Sequence, residues 1–368
     1  VARGEIKAIW IMATNPIVSM PDADAVKAAL AACPLVIVSD IYQHTDTLDV
    51  ASIKLPALGW GEKDGTVTNS ERRISRQRAL CPPPGQAKAD WQIICEVARA
   101  MGFSQGFNFA NAAEIFAEHA ALSAYQNNGE RAFNISALAQ LSAEQYQQLA
   151  PIQWPVTDSN PQGMARLFAD GRFFTASGRA QFIAVQQGTF KPAMPEAPLR
   201  LNSGRLRDQW HTMTRTGLSA NLTTHRAEPF CEIHPNDALK FGIRDKGLVE
   251  IRSAWGSCVL RVTLAQGVRR GQIFAPIHWT EQVASDARIG KVVNPVVDAI
   301  SGEPEFKHTP VSIQPFHTTW QGVLYVREGF EYQIKTSLQT CAWWTKIKTA
   351  KAMRYEIADR HSIDQTQK

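Results

Sequence analysis

Two apolar runs of strand length with a helical stretch between them constrain the first forty residues of this 368-residue chain more than any other feature in it. Residues 6–12 and Leu35-Val36-Ile37-Val38 are continuous enough to be buried on both faces, as the strands of a parallel sheet are. Between them, residues 22–32 set Val26, Ala29 and Leu30 at helical spacing behind Pro21-Asp22, with Cys33 just beyond. A connection of about twenty residues suits one right-handed crossover, which makes the strands parallel and brings their C-terminal ends to one edge. Those ends are Thr14-Asn15-Pro16 and Ser39-Asp40. Ligands of open α/β sheets lie at that edge, and a carboxylate such as Asp40 can accept hydrogen bonds there from ribose hydroxyls or a guanine edge. The alternative is that Asn15 and Asp40 only cap loops.

Further along, residues 90–101 read as a helix with Asp90 as N-cap and Gly102 as stop. Asn111 with Glu114, and Ser142 with Gln145, open two more. From Pro151 to Pro198 short aromatic runs broken by Asp170-Gly171 and Ser177-Gly178 predict a hairpin, and the proline-rich residues 191–198 put a domain boundary near 192–198. Beyond it, residues 199–203, 248–253, 258–265 and 272–279 read as strands, with turns at Asp245-Lys246-Gly247 and Trp255-Gly256 and one helix from Pro235 to Gly242. Several short strands in so little chain favour a closed barrel, since closure removes exposed edges. The tail from 316 to 368 is amphipathic and aromatic, with Trp343, Trp344 and a basic run from Lys346 to Lys351.

Composition excludes several classes. No apolar run approaches the roughly 18 residues of a membrane helix, so no membrane is expected. A net charge of +5, from 39 basic and 34 acidic residues, suits anionic small molecules better than nucleic acid. The six cysteines show no C-x-x-C pair and no histidine at zinc spacing, so no metal site is read from them and a reducing compartment fits. Val1 opens the sequence without an initiator methionine or a leader, which reads as a fragment.

Three local clusters carry polar chemistry. Gly59-Trp60-Gly61-Glu62-Lys63-Asp64-Gly65 is glycine-rich but matches neither phosphate-binding fingerprint, and Arg72, Arg73, Arg76 and Arg78 beyond it read as a solvated face. Ser203-Gly204-Arg205, followed by Gln209-Trp210-His211-Thr212-Met213-Thr214-Arg215, gathers hydroxyls, an amide, an imidazole and two guanidinium groups at a strand exit. That mix suits a phosphate or a polar heterocycle; a chance polar surface loop is the alternative. His225, His234 and His278 lack metal-ligand spacing and read as structural or surface residues, and Cys258 as a small core residue.

The run from Ser203 to Gly217, with Glu228-Pro229-Phe230-Cys231-Glu232-Ile233-His234-Pro235-Asn236-Asp237-Ala238, resembles the C-terminal domain of molybdopterin oxidoreductases, most nearly the assimilatory nitrate reductase catalytic subunits. Independently, Ala13-Thr14-Asn15-Pro16, Val38-Ser39-Asp40, Leu55-Pro56, Trp60 to Gly65 and Asn69-Ser70-Glu71-Arg72-Arg73 resemble the closing half of a dinucleotide-type domain of that family. The resemblance covers about residues 5–315. It implies an α/β plus β fold, a Rossmann-like half domain with a parallel sheet followed by a six-stranded barrel of the double-psi type. The divisions expected are 1–105 for the α/β part, 106–197 for a helical and hairpin connection, 198–315 for the dinucleotide-binding barrel and 316–368 for an extension.

The cofactor implied is Mo-bis(molybdopterin guanine dinucleotide). Asn15, Ser39, Asp40, Lys63 and Asp90 match positions around a guanine nucleotide. Ser203, Gly204, Arg205, Gln209, Trp210, His211 and Thr212 match a pterin- and phosphate-contacting loop, and Trp279, Asn294, Phe306 and Lys307 match further contacts. Met213 and Arg215 match the approach to the metal and are the catalytic candidates. None of the six cysteines matches the molybdenum-ligating position, and a 4Fe-4S cluster is expected only in a missing N-terminal part. The activity implied is cytoplasmic reduction of nitrate to nitrite with an electron-donor protein or domain, the chain alone being inactive. The alternatives are a formate dehydrogenase, a periplasmic-type nitrate reductase, or a nucleotide-binding module without catalysis.

Overall fold

The computed structural model describes residues 1–185 and 195–361. The chain forms two compact units, one of Val1–Lys54 with Thr189–Lys368, the other of Leu55–Gly188. Of the expected boundary near 192–198, residues 192–194 lie outside the described residues.

The first unit opens with β1 (Ala8–Met12), a short α1 (Pro16–Ser19), α2 (Ala23–Ala31), β2 (Leu35–Asp40) and β3 (Ile53–Pro56), over which the chain passes toward the second unit. β1 and β2 pair in parallel from Ala8 opposite Leu35 to Met12 opposite Ser39, as the crossover spacing predicts. Ile11, Ile17, Leu30, Val36, Val38 and Leu48 are buried together between strands and helix. Asn15 and Asp40 thereby come to one sheet edge.

The second unit contains β4 (Gly65–Thr68), β5 (Arg73–Gln77), α3 (Asp90–Ala100), α4 (Ala112–Ala124), α5 (Ala143–Gln147) and β6 (Ile152–Gln153), with β4-β5-β6 as an antiparallel sheet. Asn111 caps α4 by accepting from the backbone N–H of Ala113 and Glu114, and Ser142 and Gln145 form the expected capping box on α5. Asp90 is the first residue of α3 rather than its cap. Ala89 holds that place, with its N–H bonded to the Gln92 side chain. The hairpin expected around Asp170-Gly171 and Ser177-Gly178 does not form strands. Phe173 N–H meets the Gly178 carbonyl, but no ladder follows, because turn residues alone supply no alternating flanks.

The rest of the first unit is β-rich. β7 (Leu199–Gly204), β8 (Phe230–Ile233), α6 (Pro235–Lys240), β9 (Leu248–Arg252), β10 (Ser257–Leu264), β11 (Gln272–Pro276) and β12 (Thr309–Pro315) include a closed six-stranded barrel in the order β10-β8-β11-β7-β12-β9. Two of its pairings, β7 with β11 and β8 with β10, are parallel. Leu201, Ile233, Ile251, Val262, Ile273 and Val311, one from each strand, have no exposed surface. Each such burial is worth about 1.5–3 kcal/mol, so the barrel interior is a packed core and its chemistry must lie at the rim. The tail forms a sheet of β13 (Trp320–Arg327), β14 (Trp343–Lys348) and β15 (Ala352–Asp359) in the order β13-β15-β14, with α7 (Lys335–Thr340) inserted. The buried Trp343 fastens it to the barrel, donating from its indole to the Val259 carbonyl at 3.1 Å.

A buried guanidinium ties the sheet portion of this unit to its barrel. Arg288 donates to the carbonyls of Ile17 (2.8 Å) and Ala23 (3.4 Å) and to the carboxylates of Asp24 and Glu281. Lys27 adds a second ion pair to Glu281 at 2.5 Å.

Candidate functional site

At the edge of the sheet, Asn15 is buried and accepts at Oδ1 from the Thr47 hydroxyl (2.7 Å) and backbone (3.3 Å), while its Nδ2 is buried without a partner. Ser39 is likewise buried, its hydroxyl accepting from the Trp10 indole at 2.8 Å. Asp40 Oδ1 accepts from the N–H groups of Ile41 (2.6 Å) and Tyr42 (3.2 Å), and Oδ2 has no hydrogen-bond partner among the described residues. Burial raises the Asp40 carboxyl above its ordinary value, against the pull of those two N–H groups and the nearby charge of Arg215. The sheet edge thus offers one free amide donor and one free carboxylate oxygen.

At the rim of the barrel, the chain leaves β7 at Gly204, where a Cβ would lie 2.6 Å from the Phe274 ring. A side chain there would have to displace that ring, and the loop carrying Arg205 to Thr212 follows. Ser203, Gly204, Arg205, His211, Thr212, Phe306 and Lys307 line one cavity of about 330 Å³, completed by Val18 and Ser19, by Ile277, Ile289, Gly290 and Val293, and by the carboxylate of Glu303. Lys307 donates to the Ser203 carbonyl, and Ser203 Oγ to the Phe306 carbonyl at 2.8 Å, so the cation is held against the loop entrance. A smaller neighbouring cavity of about 170 Å³ is lined by Asn15, Tyr42, Thr212, Met213, Thr214 and Thr280 among others. Thr212 faces both.

The remaining candidates are distributed differently. Gln209 is buried as a brace, donating to the Leu222 carbonyl and accepting from the Thr216 hydroxyl, while Trp210 is exposed. Met213 lies in the barrel core, only 4% exposed, as well as on the wall of the smaller cavity. Arg215 is exposed, and its charge reaches both Asp40 and Tyr42. Trp279 is buried with its indole N–H unpartnered, and Asn294 spends its amide on Glu305 and Thr309. Lys63 and Asp90 belong to the second unit, where they pair with each other at 2.5 Å.

His278, read from the sequence as structural or surface, is structural, and the pattern gave no sign of its partners. The ring is fully buried, accepts at Nε2 from the Leu206 N–H at 2.7 Å, and meets the His211 carbonyl through Nδ1 at 2.7 Å. The small-residue wall at Gly290 was missed; there a Cβ would strike the Met20 carbonyl at 2.7 Å.

A molybdopterin guanine dinucleotide presents phosphates, a polar pterin and a guanine with donors on its edge. The residues fit such a group: two buried donors without partners, a free carboxylate oxygen, and Arg205 and Lys307 on the larger cavity. No group of three or more His, Cys, Asp or Glu among the described residues could hold a metal, and the six cysteines are free thiols.

Residues 1–100 match the molybdopterin oxidoreductase family and residues 199–310 the molydopterin dinucleotide binding domain. The chain belongs to the molybdopterin oxidoreductase family. Among relatives, a nitrate reductase of Klebsiella oxytoca is 47% identical over 329 residues, covering 89% of this chain and 37% of that protein. The assimilatory nitrate reductase catalytic subunit of Bacillus subtilis is 33% identical over 317 residues, covering 85% of this chain and 42% of that one. An F420-dependent formate dehydrogenase 1 subunit alpha of Methanococcus maripaludis is also 33% identical, over 309 residues, with 83% and 43% covered. The chain therefore spans less than half the length of these relatives. Acetylene hydratase from Pelobacter acetylenicus shares the fold, with a TM-score of 0.64 at 18% identity over 84% of this chain and 44% of that one.

Proposed function

We propose that this chain is the part of a molybdenum-dependent nitrate reductase that closes the seat of Mo-bis(molybdopterin guanine dinucleotide), with residues 198–315 as the dinucleotide-binding domain and 1–105 as the closing part of the α/β domain. The observation that carries the reading is the cavity between the Arg205–Thr212 loop, Lys307 and the α1 end of the sheet portion, beside a sheet edge with unpartnered groups. When bound, the cofactor supplies the two-electron chemistry by which nitrate and two protons become nitrite and water.

The chain's own residues bind and orient. Asp40 Oδ2 accepts from a guanine or ribose and Asn15 Nδ2 donates, a reading supported by the lack of a partner for either atom among the described residues. Arg205, Lys307 and the hydroxyls of Ser203 and Thr212 are suited to phosphate and pterin oxygens. Arg215 offers an anionic substrate a planar, permanently charged fork with no ion-pair partner of its own among the described residues. The electron donor is a protein or domain outside this chain, and the setting is cytoplasmic. No helix among the described residues is long and apolar enough to cross a membrane.

The formate dehydrogenase relative motivates a second reading in which the same seat serves formate oxidation. The protein carrying this chain would be assayed with reduced viologen and nitrate, and with oxidised viologen and formate. Nitrite formation supports the proposal, formate oxidation alone replaces it with the second reading, and neither activity in molybdenum-loaded protein sinks both.

A further inference from the structure

We propose that His278 is a positioning residue that clamps residues 206–211 into the conformation that seats the ligand, and does so only as neutral imidazole. This rests on the reading of that loop as the cofactor's pterin and phosphate seat.

The geometry settles the protonation. Leu206 N–H is a donor, so Nε2 must carry a lone pair; Nδ1 then carries the hydrogen and donates to the His211 carbonyl. One rigid ring thus fixes two backbone points five residues apart, while Arg207 to Trp210 bulge between them, with Arg207 paired to Asp208 outside. The clamped stretch needs holding. His211 and then Met213 adopt left-handed backbone angles, φ 43° and 61°, which non-glycine residues keep only where their surroundings over-determine them. His278 itself is absent from the walls of both cavities, whereas its neighbour Ile277 lines the larger one. It therefore acts through the loop, not by touching ligand.

A protonated ring would set an Nε2–H against the Leu206 N–H, two donors face to face. The titratable groups that face the ring are Arg205 and His211, both on the loop. Burial lowers the His278 value below the ordinary one of about 6.5, the His211 carbonyl opposes this, and the two neighbouring charges reinforce it. Acid below that range thus favours the opened loop, which takes up the proton.

The test is hydrogen–deuterium exchange on the cofactor-bearing protein, with pterin content measured on the same samples. His278→Phe should raise exchange of the 204–213 segment at least tenfold and leave 248–264 unchanged, and pterin content should fall several-fold. His278→Gln, which keeps one donor and one acceptor, should recover most of both. In wild-type protein the same segment, corrected for intrinsic exchange, should loosen about tenfold from about pH 7 to about pH 5. Unchanged exchange in the phenylalanine variant, or a flat wild-type pH profile, would overturn the proposal. A loosened loop with full pterin content upholds the clamp and overturns the reading of the loop as the seat. Should the phenylalanine variant not fold, the wild-type pH profile decides alone.

Discussion

Arg215 and Asp40 sit close enough for the guanidinium to stabilise the carboxylate, though they come from the barrel loop and the sheet edge. The role proposed for Arg215 depends on geometry and not on charge alone. Lysine is a point charge on a flexible stem, whereas the guanidinium binds two oxygens of a planar oxyanion at once. Arg215→Lys should keep molybdenum and pterin but lose kcat/KM for nitrate by about ten- to a thousandfold, equivalent to about 1.4–4 kcal/mol of transition-state stabilisation. Steady-state kinetics with metal content checked in parallel decide it; unchanged efficiency places Arg215 outside the substrate path, and lost metal makes it a cofactor contact. For Asp40, removing the carboxylate leaves the donor it would have met unpaired. Asp40→Ala should cost about 1–3 kcal/mol of cofactor binding, read as lower pterin occupancy under limiting molybdate, and full occupancy returns Asp40 to a loop cap. Asp40 was legible because a strand end follows from the apolar run alone. His278 was legible only as a structural or surface histidine, because its two partners lie 72 and 67 positions away and an imidazole beside a strand gives no local sign of them.

Among the elements, the connection between the sheet portion and the barrel of the first unit depends on Arg288, whose side chain is 2% exposed. Arg288→Met keeps the stem but strips four acceptors of their donor. Because Asp24 and Glu281 are partly solvated, the expected cost is on the order of 2–4 kcal/mol, below that of a fully buried network. Chemical denaturation of the chain checks this, and a loss below 0.5 kcal/mol by the usual scale of surface changes would show the clamp to be redundant. The same network has a pH signature. Burial alone would raise Glu281, but Lys27, Arg288 and Lys291 outweigh it and hold the carboxyl below its ordinary value. A carboxyl depressed on folding stabilises the fold above its unfolded value and loses that contribution as the pH falls through the folded one. The Arg288→Met penalty should therefore shrink on acidification below about pH 4.5. The sequence pattern found four of the six barrel strands. β8 is only four residues long, and β12 carries Pro310, which argues against a strand read locally; closure by neighbours in space rescues both. In the opposite direction, the Asp170-Gly171 and Ser177-Gly178 turns looked like a hairpin because turn chemistry is local, while strand pairing is not.

Across the molecule, the resemblance read from two separated runs agrees with the family matches at 1–100 and 199–310. The long-range joints that complete the first unit, Arg288 under the helices and Trp343 against β10, were invisible because each links residues more than eighty positions apart. The proposed role of this chain is to help seat a molybdopterin guanine dinucleotide. It is tested most directly by acid release of GMP and by molybdenum analysis of the protein carrying this chain, in wild-type form and with Lys307→Met, which removes the cation at the loop entrance. Two GMP per molybdenum are expected in the wild type, with a several-fold loss of both in the variant. Molybdenum bound without GMP, or full occupancy without the Lys307 ammonium, would contradict it.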